Sequence, residues 1–232
     1  MEEPLHAVMT GDVVGSTRFD HKRKALLAAL HAAFELVHES FPELRLCQFE
    51  MFRGDSFQGV LSPPEPALRA ALMMRASLRC APALSGFRPP ADVRLALGIG
   101  ATTGWETGQS VSEADGEPFA LSGPTLDAMK RGDQLLRVRT VSEEINAELD
   151  VECALADALV SRWSVHQAQV VLAQLRGVGR KRMARELDVT VQAVGQRLRL
   201  AGVGAVEKLL ERYETLIARL PTSAAAGAHA DP

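Results

Sequence analysis

Residues 93–101, "VRLALGIGA", alternate without a break. Val93, Leu95, Leu97 and Ile99 point one way, and Arg94, Ala96, Gly98 and Gly100 the other. Strand side chains repeat with a period of two, so this stretch predicts a β-strand with one aliphatic face and one face of mostly small residues. An aliphatic face of that kind has to be covered, which predicts a sheet with helices packed on it. Two helical repeats offer the cover. Asp20 reads as the N-cap of "HKRKALLAALHAAFELVHES", which sets Leu26, Leu27, Leu30, Phe34 and Val37 at helical spacing. Residues Glu65 to Arg79 place Leu68, Ala71, Leu72 and Leu78 along a second buried side.

"LHAVMTGDVV" reads as a first strand, and "LRLCQFEMF" and "FQGVL" as a hairpin around Gly54 and Asp55. After a polar loop, Thr102 to Pro118, a third helix covers Phe119 to Arg131, and "QLLRVRTV" is a last strand. The order is β-α-β-β-α-β with an added α-β. That predicts an α+β fold, a ferredoxin-like, palm-type sheet with helices on one face, over residues 1–141. Residues 142–163 read as a connecting helix and 164–220 as an all-α module. Residues 221–232 read as a disordered small-residue tail.

The charge is divided between these parts. Of 232 residues, 47% are apolar and 5% aromatic, so the core is aliphatic, and the net charge is −3. Residues 1–160 carry 15 Lys and Arg against 23 Asp and Glu, whereas residues 161–220 carry 11 against 5. The C-terminal part therefore has a basic surface suited to a polyanion. Cys47, Cys80 and Cys153 are widely spaced, which argues against a zinc site or a disulfide framework. With no signal-peptide core and no run long enough to span a bilayer, the chain reads as cytoplasmic, without a membrane partner.

Asp12 and Asp55 both stand at strand ends that the topology makes neighbours. Two such carboxylates repel unless a cation neutralises them or one holds a proton, and Mg²⁺ suits oxygen ligands of this kind. Gly15, Ser16 and Thr17 follow Asp12 and precede a helix, so their backbone N–H groups can face phosphates. The plainer readings remain beside these: Gly54-Asp55 as a hairpin turn, and "GST" as an N-cap. Asp115 reads either as a turn residue or as a contact to a base or ribose. Lys130 reads either as a phosphate contact or as a partner of its helix dipole. Arg94 reads as a surface or interface residue.

"MTGDVVGST" resembles the first-strand motif of class III nucleotidyl cyclases, and "FRGDSFQGVL" resembles their second metal-aspartate hairpin. The stretches "GDVVGS", "GDSFQGVL", "VRLALGIGA" and "ADGEPFALSG" are together similar to the SatD family of bacterial proteins, over roughly residues 5–135. The resemblance implies Asp12 and Asp55 as Mg²⁺ or Mn²⁺ ligands. It implies Val13, Gly15, Ser16 and Thr17, with Gly54 in the hairpin, as the cradle of a purine nucleotide. The sequence departs from the cyclase pattern in two places. Met51 stands where a base-reading lysine is usual, and "EPFALSGPTLDAM" has neither the Asn nor the Arg of the cyclase helix. That arginine steadies the transferring phosphate, a role worth about 10³–10⁵ in rate.

"GRKRMARELDVTVQAVGQRLRLAG" has Ala184, Leu187, Val189, Val194 and Leu198 at the buried positions of a helix-turn-helix, with Asp188 in the turn and Thr190 as N-cap. Gln192, Gln196 and Arg199 fall on the outer side of the second helix, suited to base edges, while Arg180, Lys181, Arg182 and Arg185 suit phosphates. The rhythm of "WSVHQAQVVLAQLRGVGRKRMARELDVTVQAV" resembles sigma-factor-like helix-turn-helix modules. The following "VGAVEKLLERYETLIARL" either closes the module or forms a dimer seam. Together these features predict a homodimeric transcriptional regulator that binds double-stranded DNA through the module and a nucleotide with Mg²⁺ through the sheet. The alternatives are an active nucleotidyl cyclase or nucleotidyltransferase with a helix-turn-helix arm, and a DNA-binding protein whose sheet only dimerises.

Overall fold

The computed structural model describes residues 4–42, 44, 46–52, 54–102, 111 and 115–221. The five strands are β1 (Leu5–Val13), β2 (Leu46–Met51), β3 (Phe57–Ser62), β4 (Val93–Ala101) and β5 (Leu136–Arg139). They form one mixed sheet in the order β2-β3-β1-β4-β5, antiparallel except for β4 and β5. Among the described residues there are eight α-helices. Helices α1 (Arg23–Ser40) and α2 (Ala67–Arg79) alternate with the first four strands, α3 (Glu117–Met129) lies between β4 and β5, and α4 (Glu143–Val160) follows β5. The remaining four are α5 (Val165–Leu175), α6 (Arg180–Glu186), α7 (Val191–Leu200) and α8 (Val203–Ile217). The mixed α+β reading and the β-α-β-β-α-β order therefore hold. No described helix is long and apolar enough to cross a membrane, and residues 222–232 lie outside the described residues.

The alternation read at residues 93–101 is the alternation that packs. Val93, Leu95, Leu97 and Ile99 are fully buried in the main core with Ala7, Met9 and Phe57. The second face departs from expectation, because α3 covers it, giving the sheet helices on both sides rather than one. Ala96 packs with Leu126 and Met129, and Val8 and Val60 pack with Phe119. Small residues on β4 permit that approach. A Cβ added at Gly98 would overlap the Pro118 carbonyl oxygen and come within 2.9 Å of the Ser122 nitrogen. The start of α1 also differs. Gly15 adopts a left-handed conformation (φ 60°) and opens a 3-10 turn, Ser16–Lys22, which contains Asp20. Asp20 is therefore not a helix N-cap; its carbonyl accepts from the Arg23 N–H instead.

Helix α2 is buried nearly all round, as expected of a helix sandwiched between two layers. The sheet lies beneath it, and α5 and α8 lie above. Leu68, Leu72, Met73 and Met74 are completely buried, each contributing about 1.5–3 kcal/mol. One apolar cluster consequently runs from Ala7 in β1 to Leu220 beyond α8. Val206, Leu210, Tyr213, Leu216 and Ile217 of α8 are all spent in it, so this helix closes the structure. The Tyr213 hydroxyl donates to the Pro64 carbonyl at 3.0 Å.

Candidate functional site

Asp12 lies next to last in β1, in register with Arg94 of β4. Arg94 Nη1 donates to both carboxylate oxygens, at 2.9 and 3.1 Å. Burial pushes the Asp12 carboxyl above its ordinary range; Arg94 and Lys130 pull it back, and the charge of Asp55 adds to the rise. Asp55 and Lys130 thus lie near enough to Asp12 for their charges to act on it. Gly54, at φ 67°, turns the chain beside Asp55, and the Phe52 N–H donates to the Ser56 carbonyl at 2.9 Å. Val13 is buried at the end of β1, and Gly15, Ser16 and Thr17 follow in the 3-10 turn.

Asp115 stands apart from this group. It precedes α3 while Lys130 follows it, so the two are about 20 Å apart along the helix axis. Its Oδ1 accepts from the Gly116 N–H at 2.7 Å, the arrangement of a turn residue. Lys130 Nζ donates to Asp127 Oδ1 at 2.8 Å on the exposed side of α3.

Arg94 supplies Asp12 with a cation on both oxygens, and among the described residues no group of three or more His, Cys, Asp or Glu is gathered. Burial pushes the Cys80 and Cys153 thiols up to about 11 and about 12.

The sequence reading missed two arrangements. On the face shared with Asp12 and Arg94, Gln58 Nε2 donates to Thr10 Oγ1, which donates to Ser122 Oγ of α3, each at 2.9 Å. The alternation that put Arg94 on this face carried the signal. The second is a buried ion cluster. Arg75, wholly buried in α2, donates to both Asp92 oxygens at 2.9 and 3.0 Å and to Asp157 of α4. Burial alone would lower the guanidinium pKa, but Asp92 and Asp157 outweigh it and hold it above its usual range. Arg79, one turn on, donates to Asp92 (2.9 Å) and to the carbonyls of Ser161 (2.9 Å) and Trp163 (3.0 Å). Two arginines four apart on a mostly apolar helix, which also carries Arg69 and Ser77, were the visible sign.

At the far end of the helical layer, α6 and α7 are joined by a short turn in which Asp188 is left-handed (φ 50°). Ala184, Val194 and Leu198 are buried, and Leu187 and Val189 are half-buried. Thr190 caps α7, its side chain accepting from the Ala193 N–H at 3.1 Å. Gln192, Gln196 and Arg199 are exposed on α7, and Arg180, Lys181, Arg182 and Arg185 are exposed on α6. Arg182 pairs with Glu186 at 2.6 Å. A groove of about 750 Å³ runs between α7 and its neighbours, with Arg180, Gln192, Gln196 and Arg199 among its walls. Glu207 borders it, held by Gln174 at 2.9 Å.

No family model matches the chain, and no curated protein matches it. Among solved structures, a bacterial light-regulated adenylyl cyclase is similar over 60% of this chain and 77% of its own, at 11% identity and a TM-score of 0.35.

Proposed function

We propose that the chain is a double-stranded-DNA-binding regulator that reads DNA with α7 as the second helix of a helix-turn-helix. The observation that carries this reading is the exposed row Gln192, Gln196 and Arg199 on a helix whose opposite side, Val194 and Leu198, is buried. Such a helix can enter the major groove while its back stays anchored. Gln suits adenine edges and Arg suits guanine edges. The exposed cations of α6 would hold phosphates on either side, setting register without specifying sequence. A nucleotidyl cyclase or nucleotidyltransferase is the weaker reading, because Arg94 occupies the carboxylate that a metal would need.

The test is fluorescence anisotropy of the full chain on labelled duplexes, first of mixed sequence and then selected from a random pool. Binding should weaken with salt, with a slope of about −0.9 for each phosphate neutralised. On the selected duplex, Arg199→Ala and Gln196→Ala should each cost about 1–3 kcal/mol and relax the preferred base. Lys181→Ala should weaken all duplexes alike and reduce the salt slope by about 1. A chain that holds no duplex at low salt, or one indifferent to Arg199→Ala and Gln196→Ala, refutes the reading.

A further inference from the structure

The sheet and the helical layer meet at a cavity of about 400 Å³, within the size range of small-molecule sites. It opens where β1 ends, between Gly15, the loop that carries Pro89 and Pro90, and Ser161 after α4. Most of its wall is apolar, from Val14, Pro89, Pro90 and Leu135, and its charged groups are Arg18, Arg79 and Asp92. Asp92 has nothing left to offer a cation. Its Oδ1 accepts from Arg75 and the Val93 N–H, and its Oδ2 from Arg75 and Arg79.

Counting charge at this junction leaves an excess. Arg75 and Arg79 are matched by Asp92 and Asp157, whereas Arg18 has no acid partner among the described residues. Among the described residues, the Nε of Arg18 is buried without a hydrogen-bond partner, and so is the Nε of Arg79, a residue only 5% exposed. Buried donors left without a partner are uncommon in folded proteins, and a bound ion or water is among the few reasons they persist.

From this cavity we infer that the chain binds a small organic monoanion with an apolar body, its carboxylate balancing Arg18 and its body against Pro89, Pro90 and Leu135. The site is linked to α7 by two hydrogen bonds. Arg79 holds the Trp163 carbonyl at 3.0 Å, and Trp163 Nε1 donates to the carbonyl of Ala201, the C-cap of α7, at 2.8 Å. An anion that draws on Arg79 therefore pulls on a hydrogen-bonded path that ends at α7. The binding claim is independent of the DNA-binding reading; only the consequence for DNA rests on it.

The experiment uses calorimetry on the full chain with benzoate, phenylacetate and hexanoate as probes, benzamide as the neutral control and inorganic triphosphate as an anion without an apolar body. At least one carboxylate should bind at about 1 mM or tighter, and benzamide should not. Arg18→Gln, which gives up no hydrogen bond to the described residues and only the contact of the guanidinium over the Phe19 ring at 5.1 Å, should move the melting temperature little and weaken binding by about tenfold or more. Arg18→Lys should recover part of it. In a Trp105→Phe background, the remaining Trp163 emission should shift on binding. Failure of all three carboxylates, equal binding of benzamide, binding of triphosphate alone, or indifference to Arg18→Gln overturns the site. Binding without any change in Trp163 emission overturns the path to α7. None of these readouts involves DNA, so their failure is distinct from failure of the DNA-binding reading.

Discussion

Replacing Arg75 by methionine should separate the claim that its ion cluster binds the sheet to the helical layer from the claim that apolar packing alone does so. Arg75 is completely buried and serves two acids from different elements, Asp92 before β4 and Asp157 in α4. Methionine keeps most of the aliphatic stem, so the packing of α2 is largely retained, but two carboxylates lose a buried counter-ion. Breaking a buried pair from one side costs about 3–5 kcal/mol, against a total stability of about 5–15 kcal/mol for a folded chain. At about 2–4 °C per kcal/mol for a protein of this size, the melting temperature should fall by about 6–20 °C. Much of that cost comes from the stranded charges and not from the missing bonds. Adding Asp157→Asn should therefore restore about 1 kcal/mol or more. Asparagine retains an oxygen for the Leu135 and Leu136 N–H groups, which Asp157 Oδ2 accepts at 2.7 and 3.1 Å. Urea unfolding followed by circular dichroism, with linear extrapolation, gives both numbers. If Arg75→Met lies within about 1 kcal/mol of the parent, or if Asp157→Asn makes it worse, the cluster does not hold these layers together.

Three further outcomes follow from named contacts. Because burial sets the folded Asp12 carboxyl above its usual value of 3.8, the folded chain keeps that proton to higher pH than the unfolded chain does. The stability this contributes is complete below pH 3.8 and is lost as pH rises through the folded value. Carboxyl ¹³C titration should show the raised value moving higher still in Arg94→Ala; an unchanged or lower value would contradict the pairing. Gly98→Ala should destabilise by about 1–3 kcal/mol, because the new methyl runs into the Pro118 carbonyl; a neutral result in thermal melts would mean α3 is not seated on β4. Trp163→Phe removes the bond to Ala201 and leaves that buried carbonyl unpaired, costing about 1–3 kcal/mol by the same urea measurement. A smaller loss than in an exposed control such as Leu200→Ala would argue that the bond is not made.

The strands and most helices were legible because their signal is local. Val93 to Ile99 announce a strand whatever lies around them, and the helical spacing of α1, α2 and α8 announces a buried side. The faces were less legible. Alternation put Arg94, Ala96 and Gly98 on one side of the sheet but did not say whether water or a helix lay over it. Sequence grouped Asp12 with Asp55 and Lys130, and it also grouped Asp115, which the length of α3 carries to the other end of the sheet. It read Arg94 as a surface or interface residue, because nothing within a few residues shows that the cross-strand register sets it against Asp12, 82 positions away.

Short-range periodicity by itself determined the order of elements, the aliphatic core and the exposed Gln192, Gln196 and Arg199 of α7. These depend only on how side chains repeat along a helix or strand. Tertiary structure alone decided which charges meet. Asp92 and Asp157 reach Arg75 across 17 and 82 residues, and the groups around Arg18 and Arg79 line a cavity drawn from five separate segments. Electrostatic energy depends on distance and burial, and neither is written into the spacing of residues along the chain.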